Sequence, residues 1–166
     1  MDGNFLDVVV DVRRVTKVTR GGKRFSFSAF IVSGDKTGRV GFAIGKSRDV
    51  SAAIGKATAK ARKRLVEFPL RGRTIAYSVK GRFGSAQVIL CSAYKGTGVI
   101  AGGSVRAVMD ALGVQDVLSK SIGSSNQRNV VKATFNALSQ LRSLKDMARL
   151  RDKTIEEVIR GAHVQA

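Results

Sequence analysis

Six cations and two glycines fall within the twelve positions Arg13-Arg14-Val15-Thr16-Lys17-Val18-Thr19-Arg20-Gly21-Gly22-Lys23-Arg24. Side chains of these types bind anions, Lys as a compact point charge and Arg as a planar fork able to grip a phosphate with two N–H groups. Two adjacent glycines break the flanking pattern into a turn, and they allow a sugar–phosphate chain to come close to the backbone. Arg13, Arg14, Lys17, Arg20, Gly21, Gly22, Lys23 and Arg24 are therefore candidate contacts to a nucleic-acid backbone. A weaker candidate is the stripe Lys56, Lys60 and Lys63, which recurs at i, i+4 and i+7 with Arg62 and Arg64 beside it.

Catalytic patterns come close and fail. Gly41-Phe42-Ala43-Ile44-Gly45-Lys46-Ser47 has three residues between its glycines, whereas a phosphate-cradling P-loop needs four. Gly96-Thr97-Gly98-Val99-Ile100-Ala101 matches GxGxxA, with Asp116 at a ribose-binding offset, but the helix expected after it is too short for a dinucleotide fold. The single histidine, His163, and the single cysteine, Cys91, are too far apart for a dyad and too few for a metal site. Glu156 and Glu157 are adjacent on a helix and point apart. No catalytic residue, metal or cofactor is expected, so the chain is read as a binding protein and not an enzyme.

The whole chain supports the anion-binding reading. Its 166 residues carry 30 Lys+Arg against 12 Asp+Glu, a net charge of +18. A compact chain repels itself at that charge unless a polyanion neutralises it, and nucleic acid gains further from counterion release. The charge is spread evenly, with 15 basic and 6 acidic residues in 1–68 and the same numbers in 69–166, so it is no basic tail on a neutral body. With 43% hydrophobic residues and a mean hydropathy of −0.02, the chain can bury a core and is not a disordered polycation. Aromatics total 6% with no Trp, which favours recognition of folded RNA by shape and phosphate over stacking on single strands. One cysteine cannot form an internal disulfide, and its apolar surroundings suggest a small buried hydrophobe. No run is apolar and long enough to span a membrane and no secretory signal stands at the start; a cytoplasmic location is expected.

Alternation of Val8, Val10 and Val12 predicts a strand from Phe5 to Thr19. A second strand follows with Phe25, Phe27, Ala29 and Ile31 inward, and a third with Val40, Phe42 and Ile44. A helix capped by Ser47 or Asp49 then runs to Leu65, with Val50, Ala53, Ile54, Ala57, Ala61 and Leu65 on its core face. Pro69, the only proline, marks a boundary. Beyond it the pattern predicts strands Thr74–Val79 and Ala86–Ser92 joined around Gly81 and Gly84. A short helix from Ser104 to Leu112 capped by Gly113 comes next, then a strand Val114–Ser119. A helix capped at Ser124-Ser125-Asn126 runs to Leu141, and a last helix spans 144–160. The expected class is α+β in two small domains, 1–69 and 70–143, followed by a C-terminal helix and tail at 144–166.

The basic segment, with Phe25-Ser26-Phe27-Ser28-Ala29 after it, resembles the small-subunit ribosomal protein five family of bacteria and organelles. So do Gly38-Arg39-Val40-Gly41-Phe42, Gly96 through Val108, Gly123 through Thr134 and Lys153 through Ile159, in family order across about residues 8–161. The resemblance implies an N-terminal domain similar to double-stranded-RNA-binding modules and a C-terminal α+β domain with a β-α-β crossover. It implies partners too: 16S-type rRNA, small-subunit proteins four and eight, and mRNA at its entrance together with protein three. The loop Arg20–Arg24 would reach rRNA near the junction of head and body, where spectinomycin-resistance changes map. Gly102, Gly103 and Arg106 would lie at the contact with protein four, where changes alter decoding accuracy. This chain departs from the family pattern at Ala76-Tyr77, where Pro-His is usual, and at Cys91-Ser92-Ala93, where Lys-Pro-Ala is usual.

Overall fold

The computed structural model describes residues 5–160; His163 lies outside them. In chain order the elements are strands β1 (Leu6–Thr19), β2 (Gly22–Gly34) and β3 (Arg39–Ser47), helix α1 (Val50–Arg62), and strands β4 (Val66–Glu67), β5 (Val79–Phe83), β6 (Ala86–Ser92) and β7 (Val99–Ile100). Helix α2 (Gly103–Leu112), strand β8 (Val117–Gly123) and helices α3 (Gln127–Ser139), α4 (Leu144–Leu150) and α5 (Ile155–Arg160) complete it. Two four-stranded sheets result, ordered β1-β2-β3-β4 and β5-β6-β8-β7. The expected α+β class holds. β7 and β8 pair in parallel across α2, which makes the β-α-β crossover.

The first sheet is an antiparallel meander in which β1 and β2 far outreach β3, whose last residue, Ser47, pairs with Phe27. The alternation expected along β1 breaks at Val10, where a bulge shifts the register between Val9↔Ile31 and Asp11↔Phe30. Val8 and Val12 thus lie on opposite faces, because an extra residue rotates the strand beyond it. Helix α1 packs closely on this sheet. Ala53, Ala57 and Ala61 are fully buried, and a Cβ on Gly45 would collide with the backbone of Ala53 and Ala57. The helix begins after Asp49 and ends at Arg62, one turn short of Leu65.

One apolar core serves both sheets. Phe30, Val32 and Val40 of the first pack in the same cluster as Val88, Leu90, Met109, Leu112 and Leu138 of the second half. Phe135 of α3 meets Phe42 edge-on at 4.7 Å and Phe68 at 5.6 Å, which joins the halves through aromatic rings. The β2–β3 turn docks on the end of α2: the Lys36 and Gly38 amides donate to the Ala111 and Leu112 carbonyls at 3.0 and 3.1 Å. These acceptors would otherwise be orphans of the helix terminus. Asp35 shapes that turn, accepting from the Thr37 and Arg39 amides and from Arg39 Nε. Burial alone would raise its pKa, but the hydrogen bonds from Thr37 and Arg39 outweigh burial and hold the carboxyl well below the usual carboxylate range.

The second half corrects several expectations. Thr74–Val79 is not a strand. Arg71 and Thr74 form one isolated bridge, and the Arg73 carbonyl accepts from Gln115 and Asp116, so the backbone bonds there go to loops and not to a ladder. The strand begins at Val79 and runs through Gly81, whose missing side chain lets α3 approach at Ala133 and Ala137; the turn is Gly84-Ser85 alone. The later strand starts at Val117, not Val114. The last predicted helix is two, parted at Arg151–Thr154, with Asp152 at φ 48°. Thr154 and Glu157 exchange side-chain-to-amide hydrogen bonds that start α5 afresh. Cys91 is partly buried on the outer face of the second sheet, opposite Leu118, and is not a fully buried hydrophobe. Tyr77, one of the departures from the family pattern, donates to the Gln140 carbonyl at 2.9 Å and accepts from the Arg142 amide at 3.0 Å, which ties the segment before β5 to the α3–α4 connection.

Candidate nucleic-acid interface

The cationic segment folds as the outer half of the β1–β2 hairpin. Its ladder closes at Thr19↔Gly22 around the two-residue turn Arg20-Gly21, and the Thr19 hydroxyl donates to the Gly22 carbonyl at 3.0 Å. Arg13, Arg14, Lys17, Arg20, Gly21, Gly22, Lys23 and Arg24 are all exposed. Residues directly opposite in an antiparallel ladder share a face, so the register sorts the charges. Arg13↔Ser28, Val15↔Ser26 and Lys17↔Arg24 occupy one face; Arg14↔Phe27, Thr16↔Phe25 and Val18↔Lys23 occupy the other, on which α1 packs further along.

Lys17 and Arg24 thus set two positive charges directly opposite each other. That juxtaposition costs the isolated hairpin stability, and a bound polyanion removes the cost. On the other face the Arg14 guanidinium lies 4.8 Å from the centroid of the Phe25 ring. Against the inward position that alternation predicts, Phe25 is 47% exposed. β3 has already ended opposite Phe27, so that strand does not reach Phe25, and Arg14 lies over its ring.

Lys56 and Lys60 are exposed on α1 and Lys63 is exposed at its C-cap. An open groove of about 640 Å³ joins part of this stripe to the hairpin, lined by Val15, Ser26, Lys46, Ser47, Arg48, Asp49 and Lys56. Lys56 therefore belongs with the hairpin surface, while Lys60 and Lys63 do not line the groove. Sequence reasoning missed Lys46 and Arg48. Their signal lies in Gly45-Lys46-Ser47, whose resemblance to a P-loop hides its place beside the hairpin. Gly102, Gly103 and Arg106 sit elsewhere, at the start of α2. Gly102 is its N-cap, all three are exposed, and Arg106 Nε contacts Asp110 at 3.9 Å.

Both near-catalytic motifs have structural uses. Gly45-Lys46-Ser47 lies within β3, paired to Ala29, Ser28 and Phe27, so it is no loop that could wrap a phosphate. Asp116 is buried and accepts from the Gly96 and Gly98 amides, each at 3.0 Å, with Arg73 3.5 Å away. The carboxylate thus occupies the amides that a dinucleotide would need. No group of potential metal ligands occurs among the described residues, and no helix among them is long and apolar enough to cross a membrane.

Comparison with known proteins agrees with this arrangement. The model of Ribosomal protein S5, N-terminal domain, matches residues 5–69, and that of Ribosomal protein S5, C-terminal domain, matches residues 81–151. The small ribosomal subunit protein uS5 of Flavobacterium psychrophilum is 55% identical over 155 residues, covering 93% of this chain and 89% of the relative. The chain belongs to the uS5 family. The uS5 protein of Rickettsia prowazekii is 52% identical over 160 residues, covering 96% of this chain and 91% of the relative. The N-terminal match takes in the hairpin, α1 and the groove between them; the C-terminal match takes in most of β5 through α4. uS5 proteins are structural and not enzymatic, consistent with the internal use of both glycine motifs.

Proposed function

We propose that the β1–β2 hairpin and the adjoining groove hold this uS5 chain on 16S-type rRNA, through Arg13, Arg14, Lys17, Arg20, Gly21, Gly22, Lys23 and Arg24, with Lys56, Lys60 and Lys63 as the flanking stripe. The chain is a structural constituent of the small ribosomal subunit and works in the cytoplasm as part of it. The observation that carries the RNA-binding reading is the like-charge pair Lys17↔Arg24 in an outer hairpin that holds no acid. Such a surface repels itself in the free protein, and bound phosphates remove that repulsion.

Residues 1–69 form the rRNA-binding domain in this reading, 70–143 the α+β domain, and 144–166 a C-terminal extension. Gly102, Gly103 and Arg106 contact protein four, and protein eight is a further neighbour. With protein three near the mRNA entrance, the chain supports decoding accuracy and the unwinding of mRNA structure. The family resemblance supports these finer roles, and the exposure of Arg106 beside the α2 N-terminus is compatible with them.

Sedimentation of a lysate tests the assignment. The chain should travel with small-subunit particles and be released by high salt. Its recovery only as free protein at low salt would sink the reading. Within assembled particles, Arg106→Ala should change the misreading rate, and an unchanged rate would remove Arg106 from the decoding role.

A further inference from the structure

A row of residues crosses the first sheet on the face that carries Lys17 and Arg24: Arg13 of β1 pairs with Ser28 of β2, which pairs with Lys46 of β3. The two cations therefore flank Ser28, one on each neighbouring strand, and all three side chains leave the sheet on the same side. A third cation reaches this row from the other half of the molecule. Arg128, in the first turn of α3, donates from Nη2 to Ser28 Oγ at 3.1 Å. Its Nε is buried and meets no acceptor among the described residues. Ser28 is only 2% exposed, so the guanidinium is anchored at the crease between the two halves and does not sweep through solvent. The acid beside the row is Asp11, which contacts Arg13 Nε at 2.6 Å and orients that side chain.

We propose that Arg13, Lys46 and Arg128 form a composite phosphodiester site around Ser28, built from both halves, which receives the RNA strand that the Lys17–Arg24 face guides toward the body. The inference rests on the rRNA-binding reading of the hairpin and adds to it which face meets RNA and where that path continues. Lys17 lies four positions beyond Arg13 along β1, about 13 Å of strand. Only Val15 and Ser26 lie between them on that face, so a backbone of repeating negative charge can run along it unobstructed. A folded protein partner would meet a ridge dominated by positive charge with little apolar surface, which disfavours it. A site that needs Arg128 also makes RNA binding sensitive to how the two halves are seated, because Arg128 of α3 is held by Ser28 of β2.

The test is the salt dependence of binding of the full chain to a 16S-type rRNA transcript. The double variant Lys46→Gln/Arg128→Gln should lower the slope of log K against log salt by about two, about one for each cation that no longer meets a phosphate. Arg128→Lys retains the charge and should keep most of its share of that slope. Arg149→Gln, an exposed charge on α4, should leave the slope almost unaltered. Thermal unfolding checks that each variant folds, and Lys46→Gln alone, at an exposed position, should lower the slope by about one. If Lys17→Gln/Arg24→Gln lowers the slope and the Lys46/Arg128 variants do not, the composite site is wrong and the hairpin reading stands. If neither pair lowers it, the hairpin reading fails as well. A fall in Arg128→Lys equal to that in Arg128→Gln would make Arg128 a packing residue, and a fall in Arg149→Gln of the same size would reduce the effect to overall charge. Either result overturns the proposal.

Discussion

Replacing Lys17 by Gln should stabilise the hairpin and weaken RNA binding, two effects of opposite sign from one substitution. Lys17 and Arg24 are Cα partners on an exposed two-stranded extension that β3 does not support. At about 7 Å between charged groups in water, Coulomb's law gives about 0.6 kcal/mol of repulsion, within the roughly 0.2–1 kcal/mol expected for a directly opposed pair. Gln retains most of the aliphatic stem and removes the charge, so that repulsion is relieved. The extension can open without unfolding the body, and so hydrogen exchange at the ladder amides between Thr16 and Arg24 is the proper measurement. Protection should rise about two- to threefold at low salt, and the gain should vanish near 1 M salt, where the screening length is about 3 Å. In the same variant the salt slope of rRNA binding should fall by about one. Reduced protection at low salt would mean that Lys17 supports the hairpin, and the assignment of faces from the register would be wrong. An unchanged slope would mean that Lys17 meets no phosphate.

The remaining predictions concern what positions that surface. Phe135→Ala removes the ring that joins Phe42 and Phe68 and should cost about 3 kcal/mol; denaturation should still be a single transition, and two separate transitions would show that the halves keep separate cores. Gly45→Val should cost about 1–3 kcal/mol by driving α1 off the sheet, whereas Gly55→Ala, in the middle of α1 with nothing within 4 Å of a new Cβ, should gain about 0.5–1 kcal/mol. Melting temperatures shifting in opposite directions would bear this out, and both falling would refute it. Asp35→Ala should cost about 2 kcal/mol at neutral pH because the amides of Thr37 and Arg39 are left without their acceptor. Asp35 is held below its ordinary value, so its contribution is complete above about pH 3.8 and disappears as the pH falls below it. The gap between wild type and variant should therefore close in acid, and a gap that stays constant there would place the stabilisation elsewhere.

Elements that announce themselves by local pattern were legible. Asn126 caps α3, accepting from the Arg128 amide at 3.1 Å, as its position before the apolar run predicted. Gly113 ends α2 at φ 90°, and the glycine turn of the hairpin stands where expected. What was hidden depends on partners distant in sequence. Two-residue strands such as β4 and β7 have no pattern of their own and exist because Val40 and Val117 lie beside them. Thr74–Val79 alternates like a strand, yet Thr74 bridges only to Arg71, the Arg73 carbonyl before it accepts from the Gln115 and Asp116 amides, and ladder pairing begins at Val79. The bulge at Val10 is invisible to a count of alternate residues. The break before α5 was readable, since Thr154-Ile155-Glu156-Glu157 has the capping-box spacing, but the apolar stripe from Met147 to Ile159 concealed it. At the site, the cationic segment was plain while its two faces were not. Faces follow from register, and register alone places Lys46 in one row with Arg13.

The few acids explain why so much positive charge remains on the outside. Asp7 pairs with Arg62 and Asp11 with Arg13. Asp35 holds the β2–β3 turn, Asp116 holds the glycine loop and Arg73, and Asp110 faces Arg106. Asp146 and Glu157 serve the starts of α4 and α5. These carboxylates are committed to turns, caps and the base of the hairpin, where local geometry needs an acceptor. Residues 12–34 contain none, and among the described residues Asp49 is the one acid that lines the groove. A negative charge near Lys17 and Arg24 would stabilise the free protein and compete with phosphate for the same cations. Its absence leaves the hairpin underneutralised until RNA arrives, so part of the energy of binding comes from relieving repulsion within the protein. Introducing an acid there, as in Ser26→Asp between the Lys17–Arg24 and Arg13–Lys46 rows, should therefore raise hairpin protection and lower rRNA affinity together. A rise in both would refute the competition.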